Sequence, residues 1–173
     1  MAMKKYVFKP GMLIFLSVLI IGALLIVGCG GTNEQETSPV TKHYAENGIS
    51  FDYPNTWGPG NSSNQNAIAA LISPTGEFTV VLKETLPPGY TLKIFNDETV
   101  MSMNPTQMIS GTFPTVAGLS ACESVFKTID AQVRTVIMQK DSDIYVIICS
   151  APVTAFDNAQ TSFNMVINSF KVQ

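Results

Sequence analysis

The chain predicts an α+β domain, an antiparallel β-sheet flanked by helices on both faces, from three observations. Between Ile49 and Ala151 short alternating or apolar runs are separated by turns rich in Asp, Gly and Pro. Two stretches, after Tyr90 and after Ala155, place apolar residues three and four apart, as amphipathic helices do. Ile144–Cys149 is apolar at every position, so that strand must be covered on both faces.

Taken in order, Gly48–Pro54 alternates Ile49, Phe51 and Tyr53 with Ser50 and Asp52, the pattern of a half-buried strand, and Pro54 stops it. Asn55–Gly60 turns the chain into a polar loop, Asn61–Asn66. That loop holds an Asn-X-Ser tripeptide at Asn61, a pattern short enough to arise by chance. Ala67–Ile72 and Phe78–Lys83 are two strands around the turn sequence Ser73-Pro74-Thr75-Gly76. Leu86–Tyr90 breaks the chain, and Leu92, Phe95 and Thr99 mark a helix that ends near Asn104-Pro105. Gln107–Phe113 reads as a strand and Thr115–Gly118 as a turn. Three strands follow, Leu119–Ile129, Val133–Lys140 and Ile144–Ala151, joined by Asp130-Ala131 and Asp141–Asp143. Phe156, Ala159, Phe163, Val166, Ile167 and Phe170 stripe a closing helix, Ala155–Ser169, with Asp157 placed to suit its dipole.

These hairpins constrain the cysteines. Pairing across Asp130-Ala131 sets Cys122 opposite about Gln139, and pairing across Ser142 sets Cys149 opposite about Thr135. The two then lie on strands separated by a third, about 10 Å apart, beyond the ~7 Å reach of a disulfide. Two free, buried thiols are expected, although an even pair in an exported domain would otherwise suggest a bridge.

The N-terminus has a different character. Lys4, Lys5 and Lys9 precede an apolar run, and the 18 residues Met12–Cys29 end at Gly28-Cys29 before an abruptly polar segment. Ile26, Val27, Gly28 and Cys29 resemble the lipobox of secreted lipoproteins, with Ile26 where Leu is commonest. That resemblance implies a diacylglycerol on the Cys29 thiol and removal of a signal peptide, residues 1–28. The alternative is an uncleaved signal-anchor helix, since the run spans about 27 Å against a hydrocarbon core of ~30 Å. The lipobox reading makes 29–43 a lipidated cysteine and flexible linker, and both readings make 44–173 the domain. Either also holds that domain at the cell membrane by its N-terminus, on the extracytoplasmic side.

Outside the leader the chain carries seven Lys/Arg against thirteen Asp/Glu, and the cations are dispersed. Nucleic-acid binding and steering to an anionic lipid surface are therefore not expected.

Tyr44-Ala-Glu-Asn-Gly48-Ile49-Ser-Phe51-Asp-Tyr53-Pro54-Asn-Thr-Trp57 resembles the opening of PsbP-like domains, a strand ending in Tyr-Pro-x-x-Trp. The close is similar too, with the strand Tyr145-Val146-Ile147, the break Ser150-Ala151-Pro152, and Phe156 through Phe170. The resemblance implies a PsbP-like α/β/α sandwich, an antiparallel sheet of about seven strands used chiefly as a binding or assembly module. The matching residues are packing residues, so it bears on fold more than on function.

No catalytic, cofactor-binding or metal-binding residue is assigned. His43 is the only histidine and falls at the linker border; no Cys/His group has zinc spacing and no Gly-rich run suits a phosphate. Asp141 and Asp143 are two carboxylates at a hairpin tip, too few for calcium. Met101, Met103 and Met108 read as core filling more readily than as an adaptable groove. The expectation is a membrane-anchored, non-catalytic lipoprotein that binds a protein partner or aids assembly of an envelope complex. The alternative is a small-ligand or solute-binding module held by an uncleaved helix; an enzyme ranks third.

Overall fold

A computed structural model describes residues 40–173. The leader, Cys29 and the expected linker up to residue 39 lie outside the described residues.

The described residues open with a hairpin, β1 (Thr41–Glu46) and β2 (Ile49–Pro54), paired from Thr41↔Pro54 to Glu46↔Ile49. Its turn is Asn47-Gly48, with φ of 53° and 75°. Two successive positive φ angles across a two-residue loop make a type I′ turn, which Asn-Gly favours because its twist matches the strands. β1 thus takes in Thr41, Lys42 and His43, the three residues before Tyr44. β1 escaped notice because its side chains are exposed except for half-buried Tyr44, which leaves no hydrophobic alternation.

The two-residue strand β3 (Gly58–Pro59) leads into β4 (Ala67–Ile72) and β5 (Phe78–Thr85). Helix α1 (Leu92–Ser102) follows, capped by Thr91, whose hydroxyl accepts from the Ile94 amide at 3.2 Å. Then come β6 (Gln107–Thr112), β7 (Thr115–Val116), β8 (Leu119–Lys127), β9 (Gln132–Lys140) and β10 (Asp143–Ala151). Helix α2 (Phe156–Ser169) and β11 (Lys171–Val172) close the chain.

The main sheet runs β3-β4-β5-β10-β9-β8-β6, with β7 paired to β8, and its pairs are antiparallel. A second sheet, β1-β2-β11, joins the first and last strands of the described residues. β10 sits at the centre and divides its apolar run between two cores. Ile144, Val146 and Ile148 face α1 with Phe95 and Phe126. Tyr145, Ile147 and Cys149 face α2 and the small sheet, among Phe51, Phe163 and Phe170. Helices do cover both faces. Full burial of each of those phenylalanines contributes about 2–3 kcal/mol.

Both cysteines are buried and free. Cys122 pairs with Ile137 and Cys149 with Arg134, two and one residues from the expected partners. The shifts come from the turns: β8–β9 has a four-residue loop closed by the Thr128 amide on Ala131 O at 2.8 Å, and β9–β10 a two-residue turn at Asp141-Ser142. A one-residue slip exchanges faces, so Cys149 lies on the α2 side while Cys122, opposite Ile137, lies on the α1 side. The sheet itself stands between the thiols.

Candidate interaction edge

The two edges of the main sheet are built differently. At one, β4 is covered by Gly58–Pro59, and the Gly60 amide donates to Ala70 O at 2.8 Å. A Cβ on Gly60 would stand 2.9 Å from Phe78 Cε2 and 3.2 Å from the Leu71 carbonyl carbon, so this close wrap requires glycine. A short strand bearing proline is a common way of blunting an edge.

The other edge is β6, whose six residues are all exposed. Asn104, with φ of 52°, and Pro105 separate it from α1, and Pro114 ends it. Its start is held against the β8–β9 tip, where the Thr106 amide and hydroxyl both donate to Lys127 O, at 2.7 and 3.1 Å. Met108 pairs with Phe126 and Ser110 with Val125, which leaves Ile109 as the extra residue of a bulge. Beyond the bulge the backbone directions follow from one bond. Ala121 N donates to Pro114 O at 2.9 Å, so Pro114 turns toward β8. By antiparallel alternation Thr112 and Ser110 also turn inward, while Gly111 and Phe113 aim their N–H and C=O away from the sheet.

The side chains along this edge are uncharged, and three of the large ones are apolar. Phe113 is 72% exposed, Met108 52% and Ile109 46%, and Ile129 at the neighbouring tip is 87% exposed. No charged residue occurs from Thr99 to Cys122. Met101 and Met108 are thus exposed, against the expectation that they fill the core; only Met103 packs into it. In the sequence Gln107–Phe113 reads as a strand with neither lysine nor proline, but nothing local marks it as an edge.

Behind the edge, Arg134 on β9 ties the sheet to α2. Its guanidinium donates to Glu123 Oε2 at 3.0 Å, Gln160 Oε1 at 3.1 Å and Asn164 Oδ1 at 2.7 Å. Arg134 Nε is buried without a partner. On the α1 side buried Asn96 accepts from the Ser124 hydroxyl at 3.2 Å.

The residues weighed for chemistry are engaged elsewhere. His43 lies within β1, exposed, with Nδ1 2.7 Å from Asp52 Oδ1. Asp143 pairs with Lys83 at 2.8 Å, and that bond raises the lysine's pKa. Asp141 occupies a left-handed turn position at φ 57°. Lys93 bonds Asp97 at 2.6 Å and holds its carboxyl below the usual range. Among the described residues no three His, Cys, Asp or Glu side chains cluster as metal ligands. Nor is any helix there long and apolar enough to cross a membrane.

Two open clefts lie against the small sheet. One, of about 360 Å³, is rimmed by Tyr44, Asn47 and the Asn61–Asn64 loop. The other, of about 220 Å³, lies between Leu119, Val172, Lys140 and Lys171.

No protein-family model and no curated protein sequence matches the chain. Solved structures do. Cyanobacterial PsbP (CyanoP) from Synechocystis sp. PCC 6803 aligns over 83% of this chain and 98% of its own, at 14% identity and a TM-score of 0.57. LpqN, described as involved in cell envelope biogenesis of Mycobacterium tuberculosis, aligns over 78% of this chain and 90% of its own, at 15% identity and a TM-score of 0.55. At such identities the likeness concerns fold. The described domain has the PsbP-like α+β fold, the one that its opening and closing motifs resemble.

Proposed function

We propose that this chain is a membrane-anchored extracytoplasmic lipoprotein whose domain, 44–173 in the sequence reading and extended to Thr41 by β1, binds a protein partner or aids assembly of an envelope complex. The observation that carries the reading is β6, an uncharged edge strand with outward backbone groups and exposed Phe113, Met108 and Ile109. An uncharged edge whose backbone groups face outward is a template for another polypeptide strand. The LpqN likeness agrees with an envelope setting, and the filled cores on both faces of the sheet favour a surface role over an internal ligand site. Anchoring rests on the lipobox resemblance at Cys29; a mature protein that keeps residues 1–28 and lacks a lipid would overturn it.

Photocrosslinking in intact cells tests the binding role. A photoreactive side chain at Ile109 captures a protein, whereas the same group at exposed Asp157 on α2 does not. Equal capture from both positions, or none from Ile109 together with thermal stabilisation by a small metabolite, would favour the solute-binding alternative.

A further inference from the structure

Resting on that reading of the edge, we propose that the strand that docks on β6 is β6 of a second copy. The pairing is antiparallel about a two-fold axis at Gly111, and it makes the two main sheets one.

Three features of the edge converge on this occupant. The first is register. Gly111 and Phe113 turn their amides and carbonyls outward, so Gly111 can exchange both bonds with Gly111 of the second copy. The same register sets Phe113 beside the second copy's Ile109, and Ile109 beside its Phe113. Gly111 pairs with Ser124, whose hydroxyl meets Asn96 of α1, so Gly111 lies on the α1 side of the sheet. By alternation Phe113 shares that side, where the second copy's Ile109 meets it at the bulge.

The second is the glycine itself. Gly111 does not have a positive φ, and a Cβ there would come no closer than 4.0 Å to Glu123 O. The fold of one copy does not require glycine at this position. A backbone approaching from outside is a common reason for glycine within a strand.

The third is charge. Residues 40–173 carry seven Lys/Arg against eleven Asp/Glu, so two copies repel over most approaches. Thr99–Cys122 carries no charge, and along β6 the like charges are absent. A symmetric pair joined by one strand is a small interface. Tethering both copies at one membrane raises their effective concentration and offsets this weakness.

The experiment uses the full chain in lipid vesicles with mild oxidation. Gly111→Cys brings two thiols onto the axis with Cα atoms about 5.5 Å apart, within disulfide range, and crosslinks into a dimer. Gln107→Cys, off the axis, does not exceed the parent chain's background. Separately, Ile109→Lys and Phe113→Glu each weaken dimerisation about tenfold with unchanged thermal unfolding. An equal mixture of the two recovers a heterodimer, because one of its two apolar pairs becomes Lys–Glu. A chain that stays monomeric, or a mixture no stronger than either variant alone, overturns the proposal. If Ile109 still captures a different protein in cells, the binding role stands and only the second copy is excluded.

Discussion

Arg134 on β9 and Glu123 on β8, diagonal neighbours across the two strands, form an ion pair 3.0 Å long whose side chains are only 14% and 19% exposed. The same guanidinium holds Gln160 and Asn164, so one side chain registers α2 on the sheet that leads to the β6 edge. Removing one partner leaves the other charge under α2. Arg134→Ala is expected to cost about 3 kcal/mol in urea unfolding, whereas Arg134→Leu with Glu123→Leu stays within about 1 kcal/mol of the parent. A double variant as unstable as the single would show that the pair is not the source of the loss.

The thiols give a pH dependence. Burial pushes the Cys149 thiol up to about 12 from an ordinary value of 9.0. Between those values the unfolded chain loses this proton and the folded one keeps it, so this contribution to stability is full below about pH 9 and falls as pH rises toward about 12. Cys149→Ala should flatten that part of the stability–pH curve. In parallel, denatured, unreduced protein should yield free thiols at both Cys122 and Cys149, while the folded protein reacts slowly at each.

Ala117 sits at φ 54° in the two-residue turn between Val116 and Leu119, beside Gly118 at φ 76°. An exposed alanine in the left-handed region is strained, and asparagine adopts that conformation readily. Ala117→Asn is expected to raise stability by about 0.5–1 kcal/mol, read as a higher urea midpoint with an unchanged slope.

Thr91 is the only side-chain cap observed on either helix. Thr91→Ala should cost about 1 kcal/mol and lower the melting temperature by about 4 °C. Thr91→Ser, which keeps the hydroxyl, should behave like the parent.

Much of the fold was legible because burial writes a period into the sequence. The six apolar residues from Ile144 announced a doubly covered strand, and Phe156 through Phe170 announced a helix with one buried stripe. β1 was not legible by that route, since it is polar on both faces apart from Tyr44 and the small Ala45. Its signal lay instead in Asn47-Gly48, a turn pair rather than a strand pattern. β3 and β11 are two residues each, too short for any period. The inward role of Arg134 depends on α2 bringing Gln160 and Asn164 above it, a relation between residues 26 and 30 positions apart. The β6 edge was legible as a strand but not as an edge, because strand order is a property of the whole sheet.

The hairpin at the front of the domain also has a mechanical meaning. Any pull from the N-terminal side draws Thr41 from Pro54 first and then opens the rungs one at a time toward Asn47. The Tyr44 ring, stacked on Phe51 at 4.9 Å with its hydroxyl donating to Ile68 O at 2.7 Å, is the catch midway. β2 does not follow, because Lys171 and Val172 clasp its far end and the Asp52 amide donates to Ser169 at the end of α2. Peeling β1 in this way would release about 20 Å of chain while the sheet bearing β6 keeps its pairing.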